Sequence, residues 1–518
     1  MEGTGFAAEL FGQAALGLDQ ALSWENLMYC ALGVSLGTFL GALPGIGVLV
    51  SMSLLFPITF HVEPTAAIIM LGGIYYGTTY GGSMSSILLN VPGTPANAVA
   101  CLDGYPMARQ GRAALALSIT TLASFFGASV GILMIMIFAP TIADYALKFG
   151  PAEYFSLMLL GLIAASSVSQ GSAIKGIAMV FVGIALGIVG TDLNSGVNRY
   201  TFGVLELRDG IGLLPIAMGL FGVTEIIASI RTVRSGEIDR NSIKFSAMIP
   251  SRDEMRRFWM PSLRGASIGC FVGALPGTGG VIASFLAYAM EKRVSKTPEN
   301  FGKGQYEGVV APEAANNASD QAAFIPTLTL GIPGSPALAL ILGILMIHGI
   351  NPGPTLVTER PEMFWGLIMS FWIGNLFLLV LNLPFIGLWV RVLMVPYYIL
   401  YPAILFLVCI GVYSVNHSVF DIWTVVVFSL IGYGMRILTL PAAPLILGLV
   451  LGPMMEIQFR RTLIFNRGEF SAFVERPISA FLLALTALIL AWTLYSALRA
   501  GGRTSARNPT STTDMTDE

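Results

Sequence analysis

Residues 33–47 read GVSLGTFLGALPGIG, and residues 265–279 read GASIGCFVGALPGTG. The two stretches agree at ten of fifteen positions, among them the whole GALPG run. A second pair follows in the same order, LNVPGTPA at 89–96 and LGIPGSPA at 330–337, agreeing at five of eight positions. A fainter third sets Pro215, Gly219 and Glu225 against Pro444, Gly448 and Glu456. Self-similarity of this kind points to an architecture built twice.

The composition says where such a duplicated chain sits. Of 518 residues, 55% are hydrophobic and only 11% charged, and the mean hydropathy is +0.75. Soluble domains carry about 25% charged residues, so this chain cannot cover itself with charge. Long apolar runs at 113–138, 152–168, 173–190, 363–390, 392–412, 419–435 and 478–497 approach or exceed the roughly 17–25 residues that cross a hydrocarbon core. The fold expected is an all-α polytopic membrane protein in a lipid bilayer.

Other classes find little support. The net charge is -2 and the basic residues form no stripe, so no nucleic acid partner is expected. Four scattered cysteines and three distant histidines signal neither disulfides nor a bound metal, and no cofactor is expected. No HExxH occurs, and no GxSxG serine has a plausible His partner, so the chain is not read as an enzyme. Residues 1–26 lack the Lys and Arg of a secretory leader.

Charge placement bears on the relation of the two halves, because Lys and Arg of short loops favour the cytoplasmic side. Residues 231–264 carry eight basic residues against four acidic ones, and Lys292, Arg293, Lys296 and Lys303 follow the second GALPG. Both flanks of that hairpin are therefore expected inside. No Lys or Arg precedes Arg109, so the first hairpin is expected to open outside. An odd number of crossings between them makes the halves inverted repeats with re-entrant hairpins and broken helices. Arg460, Arg461, Arg467 and Arg476 resist this count, falling outside.

The expected division is a first repeat at 1–230, with a hairpin around 33–60 and a broken span at 66–103. A basic cytoplasmic linker at 231–262 leads to a second repeat at 263–476, with a hairpin at 263–290 and a broken span at 313–348. A final span at 477–498 and a polar, disordered tail at 499–518 complete the chain.

The breaks carry the chemistry. Thr94 and Ser335 are favoured N-cap residues followed by Pro95 and Pro336, which suit a first helical position. Each is expected to start a helix in mid-membrane, where free N–H groups and the helix dipole attract carboxylate or phosphate oxygens. The substrate-binding set is Gly93, Thr94, Gly334 and Ser335 with Asn90, Asn97, Thr78, Thr79, Asn316 and Asn317. The hairpin breaks leave unpaired carbonyls suited to Na⁺, giving a coupling-cation set of Pro44, Gly45, Ile46, Pro276, Gly277 and Thr278 with Asp320. The bland reading is that many of these polar groups only satisfy freed backbone or tie helices together. Glu307, Glu313 and Asp320 precede the second broken span, and intramembrane carboxylates are often coupling-ion or proton sites; the bland reading is that they line the cytoplasmic mouth.

GALPG, YYGTTYGGSMSSILLNVPGTP at 75–95 and GIPGSPA at 331–337 resemble the large membrane subunit of the tripartite tricarboxylate transporter family, over about residues 25–495. The resemblance implies a bacterial inner-membrane secondary transporter working with a small four-span membrane subunit and a periplasmic solute-binding protein. It implies import of carboxylates such as citrate, driven by Na⁺ or H⁺, and by analogy an elevator-type motion. A passive anion channel or a non-transporting scaffold is the alternative.

Overall fold

The structure is a computed structural model that describes residues 2–43, 46–168, 172–192, 195–229, 248–275, 279–392 and 397–505. The break residues Pro44, Gly45, Pro276, Gly277 and Thr278 lie outside the described residues, as does most of the basic linker.

Helices build nearly all of it. The first half runs α1 (Glu2–Ala21), α2 (Trp24–Ala42), α3 (Val48–Leu55), α4 (Pro64–Leu89), α5 (Ala100–Met107), α6 (Ala113–Ala146), α7 (Pro151–Val168), α8 (Ala173–Gly187), α9 (Leu213–Ala217) and α10 (Thr224–Ser229). A short hairpin of β1 (Gly190–Thr191) and β2 (Asn198–Arg199) follows α8, a small exception to an all-helical expectation. The second half begins with α11 (Arg252–Gly273), α12 (Gly279–Val294), α13 (Glu307–Ala322), α14 (Phe324–Leu330), α15 (Pro336–Ile347) and α16 (Pro354–Glu359). It continues with α17 (Pro361–Asn382), α18 (Ile386–Val392), α19 (Tyr397–Asn416), α20 (Val419–Ile437), α21 (Ala442–Phe465), α22 (Ala472–Glu475) and α23 (Pro477–Ser505).

Among the described residues, four helices are long and apolar enough to cross a membrane, within 95–146 and at Pro361–Asn382, Val419–Ile437 and Ala442–Phe465. Shorter apolar helices accompany them, including α8 and α15. This is a multi-pass helical membrane protein.

Close backbone approach decides how the helices pack. In α2, Gly33, Gly37 and Gly41 lie one turn apart and face the carbonyls of Met70, Ile74 and Thr78 in α4. The α4 glycines Gly73, Gly77 and Gly81 return the fit against α2. The same arrangement occurs in the second half, where Gly265, Gly269 and Gly273 of α11 face the carbonyls of Ala311, Ala315 and Ser319 in α13. A Cβ on any of these α2 or α11 glycines would overlap a backbone carbonyl. In lipid, where burying apolar surface gives little drive for association, such small-residue seams let van der Waals contact hold the pair.

Other helices pair across the halves. Gly219, just before α10, sits on Val425 and Phe428 of α20, while Gly448 of α21 sits on Val180 and Ile184 of α8. Ion pairs reinforce both contacts. Arg436 at the end of α20 binds Glu225 at 2.8 Å, and Arg199 after α8 binds Glu456 of α21 at 3.0 Å. The acidic partners are the ones matched by the faint third repeat.

Two boundaries and one element differ from the sequence expectation. The linker does not reach 262, because α11 starts at Arg252 behind a capping box in which Ser251 and Glu254 bond each other's backbone N–H. The final helix runs on to Ser505, into the expected tail, since extending a nucleated helix needs little further ordering. At the other end, α1 packs its Gly17 on the Trp365 backbone of α17, an element no expectation covered.

The glycine seams make a signed prediction. Gly→Ala inside a helix ordinarily gains about 0.5–1 kcal/mol, whereas overpacking costs about 1–3 kcal/mol. Gly37→Ala and Gly269→Ala should therefore lower the unfolding temperature of the detergent-purified protein. Gly12→Ala, with nothing within 4 Å of the added carbon, should leave it unchanged or raise it. Equal responses at the three positions would contradict the packing argument.

Candidate functional site

Both broken spans have a shape that periodicity alone does not show. Helix α4 ends at Asn90, whose φ of 57° places it in the left-handed region, and α14 ends at Gly331 with φ 69°. Each left-handed residue reverses the chain, which then runs back along the helix it has just left. Gly93 packs on Gly82 and on the Gly41 carbonyl, and Gly334 packs on Ala323. A side chain at either position would strike backbone, so glycine is required there. The second helix of each span thus starts beside the body of the first.

Thr94 caps a 3₁₀ turn, Pro95–Val99, that runs on into α5, and Ser335 caps α15. The Thr94 hydroxyl accepts from the Asn97 N–H at 3.4 Å, and the Ser335 hydroxyl accepts from the Leu338 N–H at 3.4 Å. Pro95 and Pro336 hold the first helical position and have no N–H. Within the first turn this leaves the N–H groups of Ala96 and Ala337, at the second helical position, for an incoming anion.

Between the breaks, α4 and α13 face each other through polar side chains. The Tyr75 hydroxyl donates to Asp320 Oδ1 at 2.9 Å, and the Thr79 hydroxyl donates to Asp320 Oδ2 at 3.0 Å. One turn further along α4, the Ser83 hydroxyl donates to both oxygens of Glu313 at 3.0 Å, and Ser124 of α6 adds a bond of 3.2 Å. Positions 75, 79 and 83 ascend while their partners descend from 320 to 313, so α4 and α13 run antiparallel. Thr79 and Asp320 stand 241 residues apart, the same offset as Thr94 and Ser335. Equivalent positions of the two halves therefore touch at the centre.

Asp320 is 8% exposed and Glu313 2%, and among the described residues neither forms an ion pair with Lys, Arg or His. Hydroxyls and, at Glu313, the Asn97 amide compensate them without any countercharge, an expensive arrangement for a charge away from water. Asn316 lies between the two acids on the same helix, 1% exposed, with no hydrogen-bond partner for either amide atom among the described residues. Its Oδ1 and Asp320 Oδ1 converge on Gly280 in the first turn of α12. Tyr76, Phe324 and Phe371 wall this region, with the Phe324 and Phe371 rings 4.8 Å apart.

The structure sorts the sequence candidates. Gly93, Thr94, Asn97 and Thr79 gather with Asp320 and Asn316 around the α4–α13 contact, and Gly334 and Ser335 form the equivalent break. Thr78 bonds the Ile74 carbonyl of its own helix, and Asn317 bonds the Glu313 carbonyl. Asn90 is exposed and ends α4 rather than facing the acids. Ile46 is buried beside the first hairpin break. Glu307 pairs with Arg257 at 2.7 Å, whereas Glu313 and Asp320 are interior. The sequence candidates did not include Glu313 in either binding set; its i, i+7 relation to Asp320 is the signal that places both acids on one helix face.

Comparison with known proteins identifies the family. The family model described as the tripartite tricarboxylate transporter TctA family matches residues 27–447. A protein of Agrobacterium vitis described as an uncharacterized 52.8 kDa protein in the TAR-I ttuC' 3'region is 46% identical over 477 residues, 92% of this chain and 95% of its own length. Another from the same organism, described as an uncharacterized protein in the TAR-II ttuC' 3'region, is 48% identical over 231 residues, 45% of this chain and 96% of its own length. No solved structure matches. The chain belongs to the tripartite tricarboxylate transporter TctA family.

Proposed function

We propose that this chain is the large membrane subunit of a binding-protein-dependent tripartite system that imports small di- and tricarboxylates, citrate among them, across a bacterial inner membrane. Its partners are a small four-span membrane subunit and a periplasmic solute-binding protein, and a Na⁺ or H⁺ gradient drives it. The observation that carries the reading is the pair of doubled-back breaks whose capped helices start beside a buried polar layer. Substrate oxygens meet the helix starts at Gly93–Thr94 and Gly334–Ser335, with Asn97, Thr79 and Asn316 alongside. The coupling cation meets Asp320 and the hairpin breaks near Ile46, Gly45 and Gly277.

The buried acids supply a reason for coupling. At an effective dielectric of about 20, two like charges about 10 Å apart repel by about 1–2 kcal/mol. A carboxylate substrate entering beside ionised acids is opposed by about that much, and a bound cation removes the opposition. Roughly tenfold in affinity is available to couple the two.

Inverted halves and an elevator-type motion complete the reading. The antiparallel course of α4 and α13 supports inversion. So do the cross-half contacts, which join only segments that the charge-based count puts on the same side. Lys175 donates to the Leu438 carbonyl, and Asp103 accepts the N–H groups of Gly302, Gly304 and Gln305, all on the inner side of that count. The basic cluster that resisted the count is partly engaged by acids of the outer side. Arg460 binds Asp192 and Glu456, and Arg476 binds Glu153.

Proteoliposomes holding this chain with its partners test the reading directly. A hydrogen bond to a charged oxygen contributes about 1.5–3 kcal/mol. Thr94→Val and Ser335→Ala should therefore each weaken uptake of labelled citrate or related carboxylates about tenfold to a hundredfold at subsaturating concentration. Unchanged uptake and affinity in both variants, at equal protein levels, would remove the anion cradle. Current far above carrier turnover would indicate a channel.

Asp320→Asn keeps the shape and one acceptor oxygen, for Tyr75 or for Thr79, while deleting the charge. It should abolish the stimulation of uptake by the imposed cation gradient that drives the wild type. Retained stimulation would place the cation elsewhere.

A further inference from the structure

A continuous hydrogen-bond chain joins Glu313 to the cap of the first broken helix. The Ser83 hydroxyl donates to the Glu313 carboxylate at 3.0 Å. Asn97 Nδ2 donates to Ser83 Oγ at 2.7 Å, and the Thr94 hydroxyl donates to Asn97 Oδ1 at 2.5 Å. All four side chains are buried. The direction of the chain is imposed from one end, because an ionised carboxylate can only accept. Ser83 has one proton and gives it to Glu313, so its oxygen is free to accept from the Asn97 amide. The amide oxygen then faces Thr94 and takes the Thr94 proton. With Glu313 ionised, the Thr94 hydroxyl has no proton left for a substrate oxygen.

We propose that Glu313 is a proton-binding positioning residue, and that its protonation reverses this chain and releases the Thr94 hydroxyl as a donor to the anionic substrate. The proton adds to a Glu313 oxygen, and the new O–H donates to Ser83. The Ser83 hydroxyl turns to donate to Asn97 Oδ1 as the amide turns over, and Asn97 Nδ2 donates to Thr94 Oγ1. The Thr94 proton then points to the substrate. One O–H bond forms, on Glu313, and every other step is a rotation.

Gly82 leaves room for the amide, since a Cβ there would fall on Asn97 Oδ1. The rotation gives up the long 3.3 Å bond from Asn97 Nδ2 to the Thr79 carbonyl and the amide's approach to Glu313, which matters less once that carboxyl is neutral. Proton and anion binding then favour each other, as linkage requires.

The groups facing Glu313 are few. Asp320 lies on its own helix, Tyr80 faces it from α4 and Cys101 from α5. From α6 it meets the hydroxyl of Ser124, and the Asn97 amide approaches it from the first break. The neighbouring charges of α11 and α12 are engaged elsewhere, Arg264 with Glu291 and Arg257 with Glu307.

This inference rests on the Thr94 anion site proposed above, and two readouts keep the failures apart. The first needs no substrate. A pH-difference infrared spectrum of the purified chain should show a protonated carboxyl C=O band at low pH that Glu313→Gln removes. The second is uptake of labelled citrate by the reconstituted system between about pH 7 and 9, where free carboxylates stay ionised.

Apparent affinity should fall by up to about tenfold per pH unit in the wild type, as expected for one linked proton. Glu313→Gln, whose amide offers Ser83 a donor at every pH, should hold high affinity with that slope removed. Ser83→Ala should keep the infrared band yet lose the slope, with low affinity throughout. Absence of a Glu313 band, or a wild-type slope persisting in Glu313→Gln or Ser83→Ala, would overturn the proposal. A band without uptake of any carboxylate by the wild type would leave Glu313 a proton site and overturn both the Thr94 linkage and the transport reading on which it rests.

Discussion

A chain that leaves helical geometry inside a membrane must satisfy its freed backbone groups with protein, because lipid offers them nothing. Here the doubled-back breaks meet that constraint. Gly93 and Gly334 lie against the preceding helix closely enough for their N–H groups to reach the Gly82 carbonyl at 3.4 Å and the Thr327 hydroxyl at 3.0 Å. That closeness is possible only without a side chain. It also fixes where the next helix begins, and hence where its capped N-terminus is presented. The seams of α2 on α4 and α11 on α13 serve the same end, bringing each hairpin arm against the span that breaks.

The interior chemistry follows from this placement. Because each second helix starts alongside the first, Thr94 and Asn97 come level with Thr79 and Ser83, and those residues reach Asp320 and Glu313 of the antiparallel α13. The two halves have diverged at their point of contact. Thr79 in one corresponds to Asp320 in the other, so a neutral hydroxyl meets a carboxylate where the repeats touch. One half supplies donors and the other supplies charge.

Much of this was legible in the sequence, and the reasons for what was not are physical. The caps at Thr94 and Ser335 could be read because capping is local, needing only a hydroxyl residue, a proline and an N–H three residues on. The helical membrane class followed from composition. The overlap at each break was not legible, since Asn90 and Gly331 mark a left-handed residue without saying which way the chain then turns. Glu313 was placed no better than Glu307 by sequence. One is interior and the other pairs with Arg257, a difference set by the antiparallel packing of α4 on α13. The start of α11 was readable in Ser251 and Glu254, whose spacing is a capping signal that the basic character of the segment obscured.

The central claim is that both doubled-back breaks contribute to one anion site, and substrate protection of their helix starts tests it most directly. Single cysteines at Ala96 and Ala337, in the second helical position after each cap, would be labelled with a thiol reagent in the reconstituted system with and without citrate. The account predicts that citrate slows labelling at both positions. Labelling unaffected at both, in a preparation that takes up citrate, would contradict it.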